Sequence, residues 1–180
     1  MKRKYYKIIT DGNDKEGGTL YAPPQWSYPI ARDGVEVKNW KSLVLELKDG
    51  KYCSFHTCNK GANLVSQDLK DVLESFVGNH SEVEFLPVMV TSKEYGDRIY
   101  YILHFRLIFD VIDKKNTIYF DGIDTILKMK LDYEKVKTLK VFNSRPAVND
   151  IIVSKDVHDA IKQKKLASGL DFVPVFCDNG

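Results

Sequence analysis

One phrase occurs twice in this chain. Residues 64–88 read LVSQDLKDVLESFVGNHSEVEFLPV, and residues 151–175 read IIVSKDVHDAIKQKKLASGLDFVPV. Ser66, Asp68, Asp71 and Pro87 of the first correspond to Ser154, Asp156, Asp159 and Pro174 of the second. Each copy spells a capping residue, an amphipathic helix, a short gap and a strand with an internal proline. Such a unit has one helix stripe to hide and cannot bury both faces by itself. Two copies therefore demand shared β structure, and the expectation is one sheet that both units lean on.

The local chemistry of the copies is explicit. Ser66 is a good helix cap, because its hydroxyl can accept from an exposed backbone N–H. Asp68 falls in the first turn, where the helix dipole favours an anion. Leu69, Val72, Leu73 and Phe76 form one apolar stripe, and Gly78 is the expected stop. In the second copy Ser154 is the cap, and Val157, Ala160 and Ile161 make a weaker stripe. Lys162, Lys164 and Lys165 close its last turn, where cations suit the dipole. Proline cannot donate to a ladder, so the strand after the first copy is expected at a sheet edge or with a bulge at Pro87.

Between and before the copies the pattern is β. LVLEL, then Lys48-Asp49-Gly50, then KYCSF reads as a hairpin. Residues 98–113 alternate, with Ile99, Tyr101, Leu103, Phe105, Leu107, Phe109 and Val111 on one face. Tyr100, Ile102, His104, Arg106, Ile108 and Asp110 lie on the other, a mixed face expected to be wet. Turns at residues 113–116 and at Asp121-Gly122 continue this into a β-meander over 98–133. The prediction is a single α+β domain over 1–180, a mostly antiparallel sheet with two short helices. Its parts are an extended N-terminal arm at about 11–30, a helix-strand unit at 64–90, the meander, and a second unit at 151–176. The arm holds YAPPQWSYP, whose prolines fix φ and remove donors, so its rings must pack on the core or on a partner.

Composition narrows the function. A length of 180 residues with 43% hydrophobic and 29% charged residues describes an ordinary globular chain that needs no staple. A net charge of +2 argues against a nucleic-acid partner, which leaves a strongly basic face. No run approaches the ~18 apolar residues of a membrane span. The basic start MKRKYYKIITDG lacks the apolar core of a secretory leader. With Cys53, Cys58 and Cys177, an odd and low count, the expectation is reduced thiols in a cytoplasm.

CSFHTC with Cys177 falls short of a zinc site, since strand alternation points Cys53 away from His56 and Cys58. DGNDKEGG opens like a calcium loop but has Lys15 and Glu16 where an oxygen ligand and a glycine are needed. No metal, cofactor or catalytic set is expected. Tyr100, His104, Arg106 and Asp110 share a strand face and form an alternative pocket for an enzyme. A nucleic-acid adaptor would use Tyr5, Tyr6, Tyr21, Trp26 and Tyr28 as stacking rings, without the basic stripe that normally accompanies them.

The copies differ in charge. Asp68, Asp71, Glu74, Glu82 and Glu84 of the first oppose only Lys70, whereas the second is slightly basic. Solvation explains both faces, and a basic partner would explain the acidic one. Two partner-binding surfaces follow as expectations: the arm with Tyr21, Trp26 and Tyr28, and the helix face with Asp68, Asp71 and Glu74.

Trp40, Val65, Ser66, Leu69, Leu73, Phe85, Pro87 and Val88, with the late Val153, Ser154, Gly169, Leu170, Phe172, Pro174 and Val175, carry a further pattern. It resembles a bacterial immunity-protein family of the polymorphic-toxin systems, a myxobacterial-type immunity domain first catalogued as a domain of unknown function. Val157 and Ile161 stand where the family pattern has leucines. The resemblance implies a non-enzymatic protein that binds a cognate protein toxin in the cytoplasm and blocks it.

Overall fold

The computed structural model describes residues 4–11, 17–26, 35–77, 83–121, 125–144 and 150–178. The expectations placed on Tyr28, Gly78, Gly122 and the 12–16 loop lie outside these residues. The chain begins with β1 (Tyr5–Thr10), β2 (Thr19–Tyr21) and β3 (Leu43–Asp49). Next come β4 (Phe55–Thr57), β5 (Asn63–Ser66), α1 (Gln67–Val77) and β6 (Val83–Thr91). Then follow β7 (Arg98–Phe105), β8 (Ile118–Tyr119), β9 (Ile126–Lys128), β10 (Lys130–Asp132), α2 (Tyr133–Val136) and β11 (Val141–Phe142). The chain closes with β12 (Ile151–Ser154), α3 (Lys155–Gln163) and β13 (Leu170–Asp178). The class is α+β with mostly antiparallel pairing, as the sequence predicts. The two repeats supply the two longer helices; α2 is a single turn capped by Asp132, which accepts from the Glu134 N–H.

The expected single shared sheet is instead two. One has the order β2-β3-β6-β7-β5-β4, the other β10-β13-β1-β12-β11. The division is needed because each repeat is a split unit whose strands do not touch. β5 and β6 both pair antiparallel with β7, which lies between them. β12 and β13 both pair antiparallel with β1 in the same way. One repeat takes its middle strand from the chain that follows it, the other from the chain's start.

The register repeats as well. Tyr100 faces Ser66 and Val88, and Tyr101 faces Val65 and Pro87. Tyr5 faces Ser154 and Val175, and Tyr6 faces Val153 and Pro174. A Tyr-Tyr pair thus sits at one position in both sheets. The inner ring is buried each time and its hydroxyl donates to a distant carbonyl: Tyr100 to Cys53 O at 2.6 Å, Tyr5 to Val136 O at 2.5 Å.

Both prolines lie in interior strands, not at edges, because each is placed where its outer neighbour stops. The parallel pairing of β3 with β6 begins at Leu43↔Val88, one residue past Pro87. That of β10 with β13 begins at Lys130↔Phe176, two residues past Pro174. Neither proline has to donate to a ladder.

Three apolar clusters follow from this layering. The first joins both helices to both sheets: Leu69, Val72 and Leu73 of α1 and Val157 and Ile161 of α3 pack with Leu103, Phe105, Ile8 and Val153. Each fully buried aliphatic side chain there is worth roughly 1.5–3 kcal/mol. The second covers the other face of the six-stranded sheet, with Leu20, Leu45, Val88, Tyr100 and Ile102 at its centre. The third covers the five-stranded sheet, around Tyr5, Leu131, Phe142 and Ile152.

Four further expectations are corrected. The face of β7 read as wet is buried at Tyr100, Ile102 and His104, because the chain before β5 folds over it. The meander over 98–133 is absent: β7 ends at Phe105, β8 and β9 pair only with each other, and β10 joins the other sheet. The alternation continues beyond Phe105 because Phe109 and Val111 pack on the five-stranded sheet's cluster. The hairpin around Asp49-Gly50 does not form. Both sides of β3 are taken, by β2 and by β6, so β4 pairs with β5 at the far edge. Ser154 has the extended backbone of a cap, but its hydroxyl makes no cap bond and is buried without a partner among the described residues. Ser66 does cap, accepting from the Leu69 N–H at 3.4 Å.

The sheets are tied where β13 begins. Phe55 N–H donates to Ser168 O, and Ser54 N–H to the Ser168 hydroxyl. Gly169 has a φ of +78°, and a Cβ there would stand 2.2 Å from Phe55 O. Glycine is required by both the backbone and the closeness of β4.

Candidate partner-binding surface

The residues nominated from the sequence are dispersed. Tyr21 ends β2 with Lys48 over its ring, and Trp26 packs on the second cluster, so Trp26 leans on the molecule's own core. Asp68, Asp71 and Glu74 are exposed on α1. Lys70 lies among them, reaching Glu74 at 2.5 Å and Asp71 at 3.7 Å. Partial burial would lower the Lys70 pKa, but the hydrogen bond and charge of Glu74 outweigh this and hold it above the ordinary value.

Tyr100, His104, Arg106 and Asp110 do not converge. Tyr100 points at Cys53 O, and burial pushes its hydroxyl pKa far above the usual range. His104 is buried with Nε2 at 2.7 Å from Val35 O, which makes that nitrogen the donor. Arg106 meets Glu84 at 3.5 Å and Glu36 at 3.6 Å. The Val37 N–H also donates to Glu84. His104 and Arg106 thus hold residues 35–37 against β6 and β7. Asp110 lies beyond the strand end and pairs with Lys114.

His56 serves the backbone too. Its Nε2 accepts from the Cys53 N–H at 2.9 Å, so Nδ1 carries the proton and donates to Gly18 O at 2.9 Å. That tautomer leaves no ring lone pair for a metal. Among the described residues no three His, Cys, Asp or Glu side chains group as metal ligands, and no helix is long and apolar enough to cross a membrane.

What the sequence reading missed is an apolar groove beside β13. The β8–β9 ribbon forms one wall and β13 the other, enclosing about 800 Å³. Ile118 and Leu127 of the ribbon are 50% and 64% exposed, and Val173 and Phe176 of β13 are 43% and 51% exposed. Phe120, at the end of β8, is 56% exposed. Single apolar side chains are commonly left in water, but here Ile118, Leu127, Val173 and Phe176 gather around one hollow. The polar groups are few. Lys7 and Asp150 pair at 2.6 Å along its lining. The Lys128 ammonium stands 4.1 Å from the centre of the Phe176 ring. A second row, Val44, Met89 and Ile99, runs across β3, β6 and β7, with Val44 and Ile99 exposed. The sequence signal for the groove was present in TIYF and TILKM: an alternation whose apolar members have no sheet to cover them.

Residues 15–176 match a family model described as immunity protein family (Imm11). No curated protein matches the chain.

Proposed function

The chain belongs to the Imm11 immunity protein family, and on that premise we propose that it neutralises a cognate bacterial toxin by binding it in a stoichiometric complex. In this reading the complex forms in the cytoplasm, and the protein acts by binding and not by turnover. That is in keeping with His56, His104, Tyr100 and Arg106 being engaged with backbone carbonyls, backbone N–H groups or glutamates of their own fold. The observation that carries the reading, beyond family membership, is the exposed apolar groove bounded by Leu127 and Phe176.

A stable protein complex buries about 800 Å² per partner, with its energy concentrated in a few large side chains that lose all water. The exposed Phe176 ring, flanked by Ile118, Leu127 and Val173, offers apolar area that such a centre could cover. The exposed acids of α1, Asp68, Asp71 and Glu74, suit a supporting role in attracting a basic region of the toxin. Co-expression with the protein encoded beside it is the direct test. Cells carrying that neighbour survive only when this protein is present, and the two co-purify. A neighbour that is harmless alone would remove the reading.

A further inference from the structure

The internal repeat indicates what the groove lacks. In an antiparallel ladder, residues alternate between pairs that exchange hydrogen bonds and pairs that do not. Pro87↔Tyr101 and Pro174↔Tyr6 must be of the second kind, because proline has no N–H. Both proline carbonyls therefore point away from the middle strand, toward the outer neighbour. At Pro87 that carbonyl is met by the indole of Trp40, whose Nε1–H donates at 2.9 Å. The register then identifies the equivalent of Trp40. Val44 pairs with Met89, two residues past Pro87, and Lys130 pairs with Phe176, two residues past Pro174. Trp40 precedes Val44 by the same interval as Ile126 precedes Lys130. Ile126 has no side-chain donor, and it is held in the ribbon opposite Tyr119. The place filled by an indole in the first sheet is the open groove in the second.

Charge adds a second element. The lining cation Lys7 is neutralised by Asp150. Lys128 also lines the groove and rests on the Phe176 ring, with no carboxylate partner among the described residues. A cation held on an exposed ring gains little from it, so a carboxylate brought beside it is favoured.

We propose that the groove seats an extended segment of the toxin that brings an aromatic N–H donor, a tryptophan indole, to Pro174 O and a carboxylate to Lys128. This rests on the toxin-binding reading above. The segment completes in trans what Trp40 completes in cis.

The test uses the co-purified toxin, inactivated by mutation, as the probe. A photo-crosslinking residue at position 173 captures a toxin peptide containing a tryptophan and an acidic residue. Leu127→Asp and Lys128→Glu each weaken toxin binding at least tenfold, and changing the captured carboxylate to lysine restores affinity for Lys128→Glu. Ile118→Ser, on the same ribbon, replaces Leu127→Asp if the latter lowers the thermal midpoint. Unchanged affinity in these variants, with toxin still bound, overturns the groove assignment and leaves the toxin-binding reading standing. Capture of a second copy of this chain, or of a toxin peptide lacking both groups, also overturns it. A wild-type protein that binds no toxin at all removes both.

Discussion

Tyr100 and Tyr5 hold the same station in two sheets, and each spends its hydroxyl on a carbonyl from a remote segment. The burial that makes Tyr100 useful also makes its ionisation costly, and the nearby Arg98 only partly offsets that. The folded chain therefore keeps the proton where an unfolded tyrosine, with a pKa near 10, gives it up. A raised folded-state pKa contributes stability that is complete below pH 10 and lost as pH rises beyond it. Tyr100→Phe is expected to cost about 1 kcal/mol at pH 7, the net worth of one hydrogen bond. It is also expected to make the fall in stability above pH 10 shallower. Urea unfolding at neutral and alkaline pH measures both. Equal alkaline slopes for wild type and variant would show that Tyr100 does not titrate with unfolding.

At the scale of elements, each repeat works through one helix stripe and one interrupted strand. Leu73 of α1 and Ile161 of α3 are fully buried in the cluster that both helices share. Leu73→Ala and Ile161→Ala should each destabilise by about 2–5 kcal/mol, the cost of a cavity the surroundings refill only partly. Because the cluster spans both sheets, each variant should shift one common unfolding transition, seen alike by circular dichroism and by tryptophan fluorescence. A second transition with an unmoved midpoint would mean that the halves unfold apart. Much of this level was legible in the sequence. Caps, stripes and internal prolines are local signals, and both helix-strand units lie where the repeated phrase puts them. Strand neighbours were not legible, because alternation marks a strand without naming its partner. The pairing of Tyr5 with Ser154 and Val175 spans nearly the whole chain. A clue existed in the matching KYYKII and RIYYIL stretches, whose tyrosine pairs take the same register. The β7 face was misjudged for a related reason: a histidine on an alternating strand looks wet until the segment covering it, here Val35 and its neighbours, is known.

For the whole molecule, the two split units account for a packed apolar centre and an unequal surface. In one sheet the strand edge beyond the proline is finished by Trp40; in the other it opens into an apolar groove. The groove could not be read from sequence, since Ile118, Leu127 and Phe176 are ordinary core residues until the ribbon is seen to stand off the sheet. The nominated acidic residues were found by composition alone, which marks charge but not shape. Recognition by surface, not turnover, is the central claim, and its most direct measurement is a titration of toxin activity with this protein. The account predicts that inhibition grows linearly and is complete at one equivalent, with toxin recovered intact when the complex is dissociated. Loss of toxin activity at a small fraction of an equivalent, progressing with time and leaving altered toxin, would contradict it.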